Sequence, residues 1–126
     1  MNRSIVITRY ATALVKYVRE TGQGEIVCSE AETLMRTIQS TPDLRRMLSA
    51  ADDVVSPFEK KKLLQTALGN RMFPDLSRFL TLLNQNGRMD LVEEILRDYV
   101  TQYRRSIGIR RAHLVTVTEP DRKSVV

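Results

Sequence analysis

The chain has 126 residues, a formal net charge of +5 and a single cysteine, and this length can bury one hydrophobic core without disulfide support. Its 42% hydrophobic and 28% charged residues exclude a disordered or collagen-like chain. No run of about 18 apolar residues exists to span a membrane, and the N-terminus lacks a long apolar signal core, so we expect an intracellular protein. Cys28 and His113 are each alone, which excludes a disulfide framework and a cysteine- or histidine-rich metal site.

The first predicted helix covers residues 4–20 and is more apolar than one core contact requires. Its apolar side chains span about 200° of the helix surface, whereas a helix that faces one core needs roughly 100° or more. One edge of this arc carries Tyr10, Ala13 and Tyr17, and the second edge carries Ala11, Val15 and Val18. One edge can pack inside a bundle, which leaves the other available to a partner.

Five further helices are expected, each with a start or stop signal. We predict them at residues 24–39, 41–48, 56–69, 73–87 and 90–108. The clearest start is Ser56-Pro57-Phe58-Glu59, which combines a hydroxyl N-cap, a proline at the first helical position and the glutamate of a capping box. Asn86-Gly87 and Gly108 supply residues that commonly end a helix.

The fifth predicted helix carries one apolar residue outside its core stripe. The stripe itself consists of Leu76, Phe79, Leu80 and Leu83. Leu82 lies about 100° from the centre of that stripe, between Asp75 and Arg78. Leu82 therefore either marks the edge of a wide core or serves as a contact for a partner.

The pattern changes after the sixth helix. Residues 114–118 alternate valine and threonine, which is the period of a strand, yet a single strand has nothing to pair with in a helical chain. We therefore predict an all-α fold, a six-helix bundle over residues 1–110. Residues 111–126 would form the first strand, or an unpaired tail, of a truncated α/β C-terminal domain.

Catalytic chemistry finds little support in the sequence. The glycines form no phosphate-binding loop. Glu93-Glu94 and Asp52-Asp53 are adjacent carboxylates, but neighbouring residues on a helix point about 100° apart and cannot share a proton. We predict that the chain is not an enzyme and that it holds no cofactor and no metal.

The surplus apolar residues suggest a binding site instead. If the free edge of the first helix lies beside Leu82, the two helices form a shallow groove with Ala13 on its floor and tyrosines at its rim. A small residue lets a guest helix approach closely, and tyrosine offers contact area with a polar tip. Arg78 and Asp75 would be rim partners.

Two segments at a characteristic spacing resemble a known family. Residues 9–14 read RYATAL, and residues 79–88 read FLTLLNQNGR ahead of a long amphipathic helix. Together they resemble the delta subunit of bacterial ATP synthase, whose mitochondrial counterpart is the oligomycin sensitivity-conferring protein. The resemblance implies a non-catalytic stator subunit of a proton- or sodium-translocating ATP synthase, which links the catalytic head to the peripheral stalk.

The resemblance also implies partners and a location. The six-helix domain would bind the N-terminal helix of an alpha subunit between its first and fifth helices, and the C-terminal domain would join the peripheral-stalk b subunits. The protein would lie at the cytoplasmic face of the bacterial cell membrane, attached only through the complex. With the groove argument, the predicted partner-binding residues are Tyr10, Ala13, Leu14, Tyr17, Asp75, Arg78 and Leu82.

The basic charge leaves open a hypothesis of a different class, an RNA-binding helical bundle of the transcription antitermination type. Against it, the arginines near the end of the sixth helix are favoured there by the helix dipole, and few aromatics accompany the cations. Salt separates the two hypotheses, because phosphate contacts weaken steeply with salt whereas burial of apolar side chains barely responds.

Overall fold

The computed structural model describes residues 2–69 and 71–118, with side chains described through residue 109. Six α-helices occupy this part of the chain: α1 Arg3–Thr21, α2 Gly24–Ser40, α3 Pro42–Ser49, α4 Pro57–Ala67, α5 Pro74–Gln85 and α6 Val92–Thr118. A short 3-10 helix, Met89–Leu91, leads into α6. The predicted all-α, six-helix fold is confirmed.

Local signals in the sequence form the helix ends that they predict. At the start of α4, the Glu59 backbone N–H donates to Ser56 Oγ over 3.2 Å. At the end of α5, Gly87 adopts a left-handed φ of 67°, a conformation that glycine reaches without steric cost. The next amide, of Arg88, then donates to the Leu83 carbonyl over 2.9 Å, which satisfies a carbonyl that the helix end would otherwise leave free.

The end of the sixth helix was predicted wrongly. Gly108 does not end α6, and residues 114–118 form no strand, because the helix continues through Thr118. Gly108 is not among the described glycines with positive φ, and a helix that is already nucleated extends through one glycine for about 1 kcal/mol. An isolated strand would leave its backbone groups unpaired. The predicted division of the chain after residue 110 stays a prediction, and residues 119–126 lie outside the described part.

Side chains from all six helices form the core. Its largest fully buried side chains are Tyr99, Leu14, Leu34, Ile38, Leu64, Leu76, Leu80, Leu83, Ile95 and Leu96. Helices α1 and α6 run parallel, since Thr12 contacts Gln102 and Arg19 contacts Ser106. The second apolar edge of α1 is thereby covered, with Val15 and the residues near it buried. Within the described part of the chain, no helix is both long and apolar enough to cross a bilayer.

Candidate functional site

Helices α1 and α5 lie side by side and run antiparallel. Four side-chain contacts join them: Tyr10 with Phe79, Tyr10 with Asn86, Tyr17 with Arg78, and Thr21 with Asp75. As the α1 number rises through these hydrogen-bonded pairs, the α5 number falls by a similar amount. The same register sets Ala13 of α1 across from Leu82 of α5. The structure therefore brings the two predicted groove segments together.

The tyrosines of α1 are more buried than Ala13, so the predicted arrangement, with Ala13 on the floor and tyrosines at the rim, is reversed. Tyr10 accepts a hydrogen bond from Asn86 Nδ2 over 2.8 Å and packs edge to face against Phe79, with ring centroids 6.5 Å apart. Tyr17 accepts from Arg78 Nη1 over 3.1 Å. Both tyrosines are only partly buried, so each holds the helices together and still presents part of its ring to solvent.

Apolar surface remains uncovered along this line. Leu82 is 43% exposed, and Ala13 is exposed on the facing helix. The helical pattern did not show whether Leu82 belongs to the edge of the core or to a binding surface. In the structure its side chain lies at the rim and not in the core. We call the surface along Tyr10, Ala13, Tyr17 and Leu82, where the two helices contact each other, the α1/α5 groove.

Two of the predicted site residues lie below this surface. Leu14 is 1% exposed and belongs to the core, because it projects between α1 and the rest of the bundle. Asp75 is 6% exposed, and its carboxylate accepts a hydrogen bond of 2.7 Å from Thr21 Oγ1. In this structure Asp75 joins the two helices and is not a free rim group. Arg78, in contrast, is exposed.

The charge on the rim is positive. The hydrogen bond to Tyr17 raises the pKa of the Arg78 guanidinium above its usual value, so Arg78 is charged at every physiological pH. None of the ion pairs found among the described residues involves Arg78. The exposed guanidinium donates to Tyr17 and lies near the buried Asp75 carboxylate, and it is still accessible to solvent.

A glutamate outside the groove positions the α5 wall. Both carboxylate oxygens of Glu30, on α2, accept the backbone N–H of Phe73, at 3.0 and 2.9 Å. Phe73 is the N-cap of α5, and the positive end of a helix dipole favours a carboxylate there. Burial raises the pKa of Glu30, and the hydrogen bond from Phe73 opposes that shift. Helix α5 is thus fixed to α2 at the end where it begins.

Sequence reasoning missed several contributors to the groove. Phe79 was assigned to the core and Asn86 to the helix end, yet both also contact Tyr10. Asn86 carried a signal, since it lies four residues after Leu82, a spacing that returns to the same face of the helix. Glu30 carried none, because its partner is a backbone amide 43 residues away.

The described residues offer no alternative site with metal chemistry. Among them, no group of three or more His, Cys, Asp or Glu side chains is arranged to hold a metal ion. No buried polar side-chain atom in the described part of the chain lacks a hydrogen-bond partner. The α1/α5 groove is accordingly the candidate that the geometry favours.

Comparison with known proteins supplies the family. The sequence profile of the ATP synthase delta (OSCP) subunit matches residues 6–125. An ATP synthase subunit delta of Prochlorococcus marinus (strain AS9601) is 30% identical over 114 residues, which cover 90% of this chain and 62% of that relative. The subunit delta of Phocaeicola vulgatus is 31% identical over 115 residues, covering 90% of this chain and 60% of the relative.

The match extends over part of each relative's length. A third subunit delta, from Prochlorococcus marinus subsp. pastoris, is 31% identical over 123 residues, covering 96% of this chain and 67% of that relative. This chain thus spans about two thirds or less of the curated relatives that it matches. No solved structure matches the chain. With a family profile matching nearly the whole sequence, the chain belongs to the ATP synthase delta (OSCP) subunit family.

Proposed function

We propose that this chain acts as a non-catalytic stator component of a proton- or sodium-translocating ATP synthase, linking the catalytic head to the peripheral stalk. Its six-helix bundle binds the N-terminal helix of an alpha subunit in the α1/α5 groove. The b subunits of the stalk are joined through chain that follows the bundle, from about residue 111 onwards. The protein lies at the cytoplasmic face of the bacterial membrane, held there by the complex.

One observation carries the proposal. Within a chain of this family, the exposed Leu82 lies across from the exposed Ala13, above two partly buried tyrosines. An amphipathic helix buries its apolar stripe in such a groove, and the small Ala13 side chain permits close approach. For RNA binding, the described surface offers no comparable support. Membership of this family also does not favour that alternative.

A titration tests the proposal directly. The 15N-labelled chain is titrated with a synthetic peptide corresponding to the alpha subunit N-terminus, and amide shifts are followed by NMR. We expect perturbations concentrated in residues 10–17 and 78–86. Shifts confined to other surfaces, or no saturable shift at all, would contradict the proposal. A parallel titration with single-stranded RNA at two salt concentrations tests the alternative, since phosphate contacts lose affinity steeply as salt rises.

A further inference from the structure

Both rims of the α1/α5 groove repeat one pattern of charge and apolar surface. On α1, Arg9, Ala13 and Lys16 are all exposed, and their spacing of four and three residues places them on one face of the helix. On α5, Arg78, Leu82 and Gln85 follow the same spacing and are likewise exposed. Each rim therefore has a central apolar residue flanked by cationic or polar side chains.

The α1 rim borders an open depression of about 680 Å³, lined in part by Arg9, Ala13 and Lys16. Ile5, which is 50% exposed, lines the same depression. Exposed apolar surface on α1 therefore extends from Ala13 past Arg9 to Ile5. A guest helix seated on Ala13 has room to place side chains on this flank.

None of the three rim cations is in an ion pair with a described residue, although the buried Asp75 carboxylate lies near enough to Arg78 to raise its pKa. Among the ion pairs of the described residues, none includes Arg9, Lys16 or Arg78. The nearest exposed carboxylate along the α1 rim is Glu20, four residues after Lys16, and no ion pair joins the two. Elsewhere on the bundle some arginines are paired, as Arg104 is with Glu32, whereas others, such as Arg36, are in no ion pair among the described residues. Within the part of the chain that the structure describes, Arg9 and Lys16 thus place two unpaired positive charges on the α1 rim.

The antiparallel register distributes this charge unevenly along the groove. Arg78 lies beside Tyr17, so Arg78 and Lys16 flank the same end of the groove. Arg9 lies toward the opposite end, where Tyr10 contacts Asn86. Arg9 and Lys16 are seven residues apart, or about 10.5 Å along the helix axis. A guest helix that lies along the groove can match that distance with two side chains seven residues apart.

We propose that the groove selects an amphipathic helix whose apolar stripe is flanked by carboxylates seven residues apart. This inference rests on the proposed function and adds the charge pattern of the guest. The two carboxylates face Arg9 and Lys16, a further carboxylate or polar group faces Arg78, and the apolar stripe lies between Ala13 and Leu82. The cations thereby determine which helices bind, while Ala13 and Leu82 supply most of the apolar contact.

Three synthetic peptides test the charge pattern on the unaltered chain. They share one leucine-rich apolar stripe and carry glutamate, glutamine or lysine at two flanking positions seven residues apart. At about 50 mM salt we expect the glutamate peptide to bind roughly tenfold more tightly than the glutamine peptide, as two exposed ion pairs allow. At about 0.5 M salt the difference should fall within about twofold, because screening shortens the reach of exposed charges. Equal affinities of the three peptides at low salt would overturn the inference.

Charge reversal then assigns the preference to particular residues. The double variant Arg9→Glu, Lys16→Glu should reverse the order and favour the lysine peptide. The control, Arg36→Glu with Lys62→Glu, makes the same net charge change at exposed positions on α2 and α4, and should preserve the order. If the control abolishes the preference as fully as the rim variant, net charge explains the binding and the inference is wrong.

The alpha subunit peptide keeps the two proposals distinguishable. If it binds through Leu82 and ignores Arg9 and Lys16, the proposed function stands and the charge inference fails. If it does not bind while the glutamate peptide does so with the expected preference, the charge inference stands and the proposed partner is wrong.

Discussion

Replacing Leu82 by alanine separates binding from folding, and the structure sets both magnitudes. A fully buried leucine contributes about 1.5 to 3 kcal/mol relative to an exposed one. Only the 43% of Leu82 that is still exposed remains for a guest helix to cover. The expected loss of binding free energy is therefore about 0.6 to 1.3 kcal/mol, or roughly a three- to ninefold weaker Kd. This is smaller than the loss expected if the guest alone buried the whole side chain.

The remaining share of Leu82 is already covered in the free protein. From the sequence alone, truncation should cost little stability, but the partial burial of this side chain changes that expectation. We expect Leu82→Ala to lower the free energy of unfolding by about 0.5 to 1.5 kcal/mol. This range already allows for the apolar surface that the unfolded chain buries. Urea denaturation followed by circular dichroism measures this loss.

Ile26→Ala provides the matched control for the binding measurement. Ile26 is 44% exposed on α2, so the truncation removes a similar amount of accessible apolar surface outside the groove. Fluorescence anisotropy of a labelled alpha subunit peptide should show the weaker Kd for Leu82→Ala and an unchanged Kd for Ile26→Ala. Equal affinities for the wild type and Leu82→Ala, or an equal loss in the control, would refute the groove assignment.

Three further substitutions test the bundle that holds the groove. Gly24→Ala should lower the unfolding free energy by about 1 to 2 kcal/mol in urea denaturation, because the new Cβ would lie 2.2 Å from the Tyr103 ring, closer than packing permits. Glu30→Gln should change the pH dependence of stability. The partly buried wild-type carboxyl keeps its proton to a higher pH than the same group in the unfolded chain, where its pKa has the ordinary value of 4.5. Wild-type stability therefore falls as pH rises above that value, and the variant-minus-wild-type difference should rise with pH. Lys60→Met should cost about 1 kcal/mol and speed amide exchange in residues 50–55, since the buried Lys60 ammonium donates to the Ala50 carbonyl.

Each of these expectations has a result that would contradict it. Gly108→Ala is the control for Gly24, because a Cβ at Gly108 meets nothing within 4 Å and alanine favours a helix by about 1 kcal/mol. If both alanine variants stabilise the chain, steric crowding at Gly24 is absent. A stability difference for Glu30→Gln that is flat, or falls, between pH 4 and neutrality would rule out a raised pKa, on the sign given by proton linkage. Unchanged exchange near Ala50 in Lys60→Met would show that the ammonium does not hold that segment.

Local sequence signals were sufficient for most of the fold. The capping box at Ser56, the proline starts and Gly87 all act within a few residues, so the helices they delimit follow from short-range chemistry. Gly108 shows where such signals fail: the same residue type ends α5 with a left-handed φ and lies inside α6 with none. A glycine ends a helix only if the helical hydrogen bonds on either side of it do not continue. The glycine itself does not determine whether they do.

Helical spacing was enough to predict a six-helix chain, with one more apolar edge on α1 than a bundle needs and with Leu82 outside the core stripe of α5. Helical periodicity is local, so it can be read from spacing alone. The spacing does not predict that α1 and α5 are antiparallel neighbours, that Tyr10 and Tyr17 join them, or that Leu14 and Asp75 lie beneath the rim. Those outcomes depend on contacts between residues more than 50 positions apart, and such contacts follow from how the helices pack, not from any single helix's pattern.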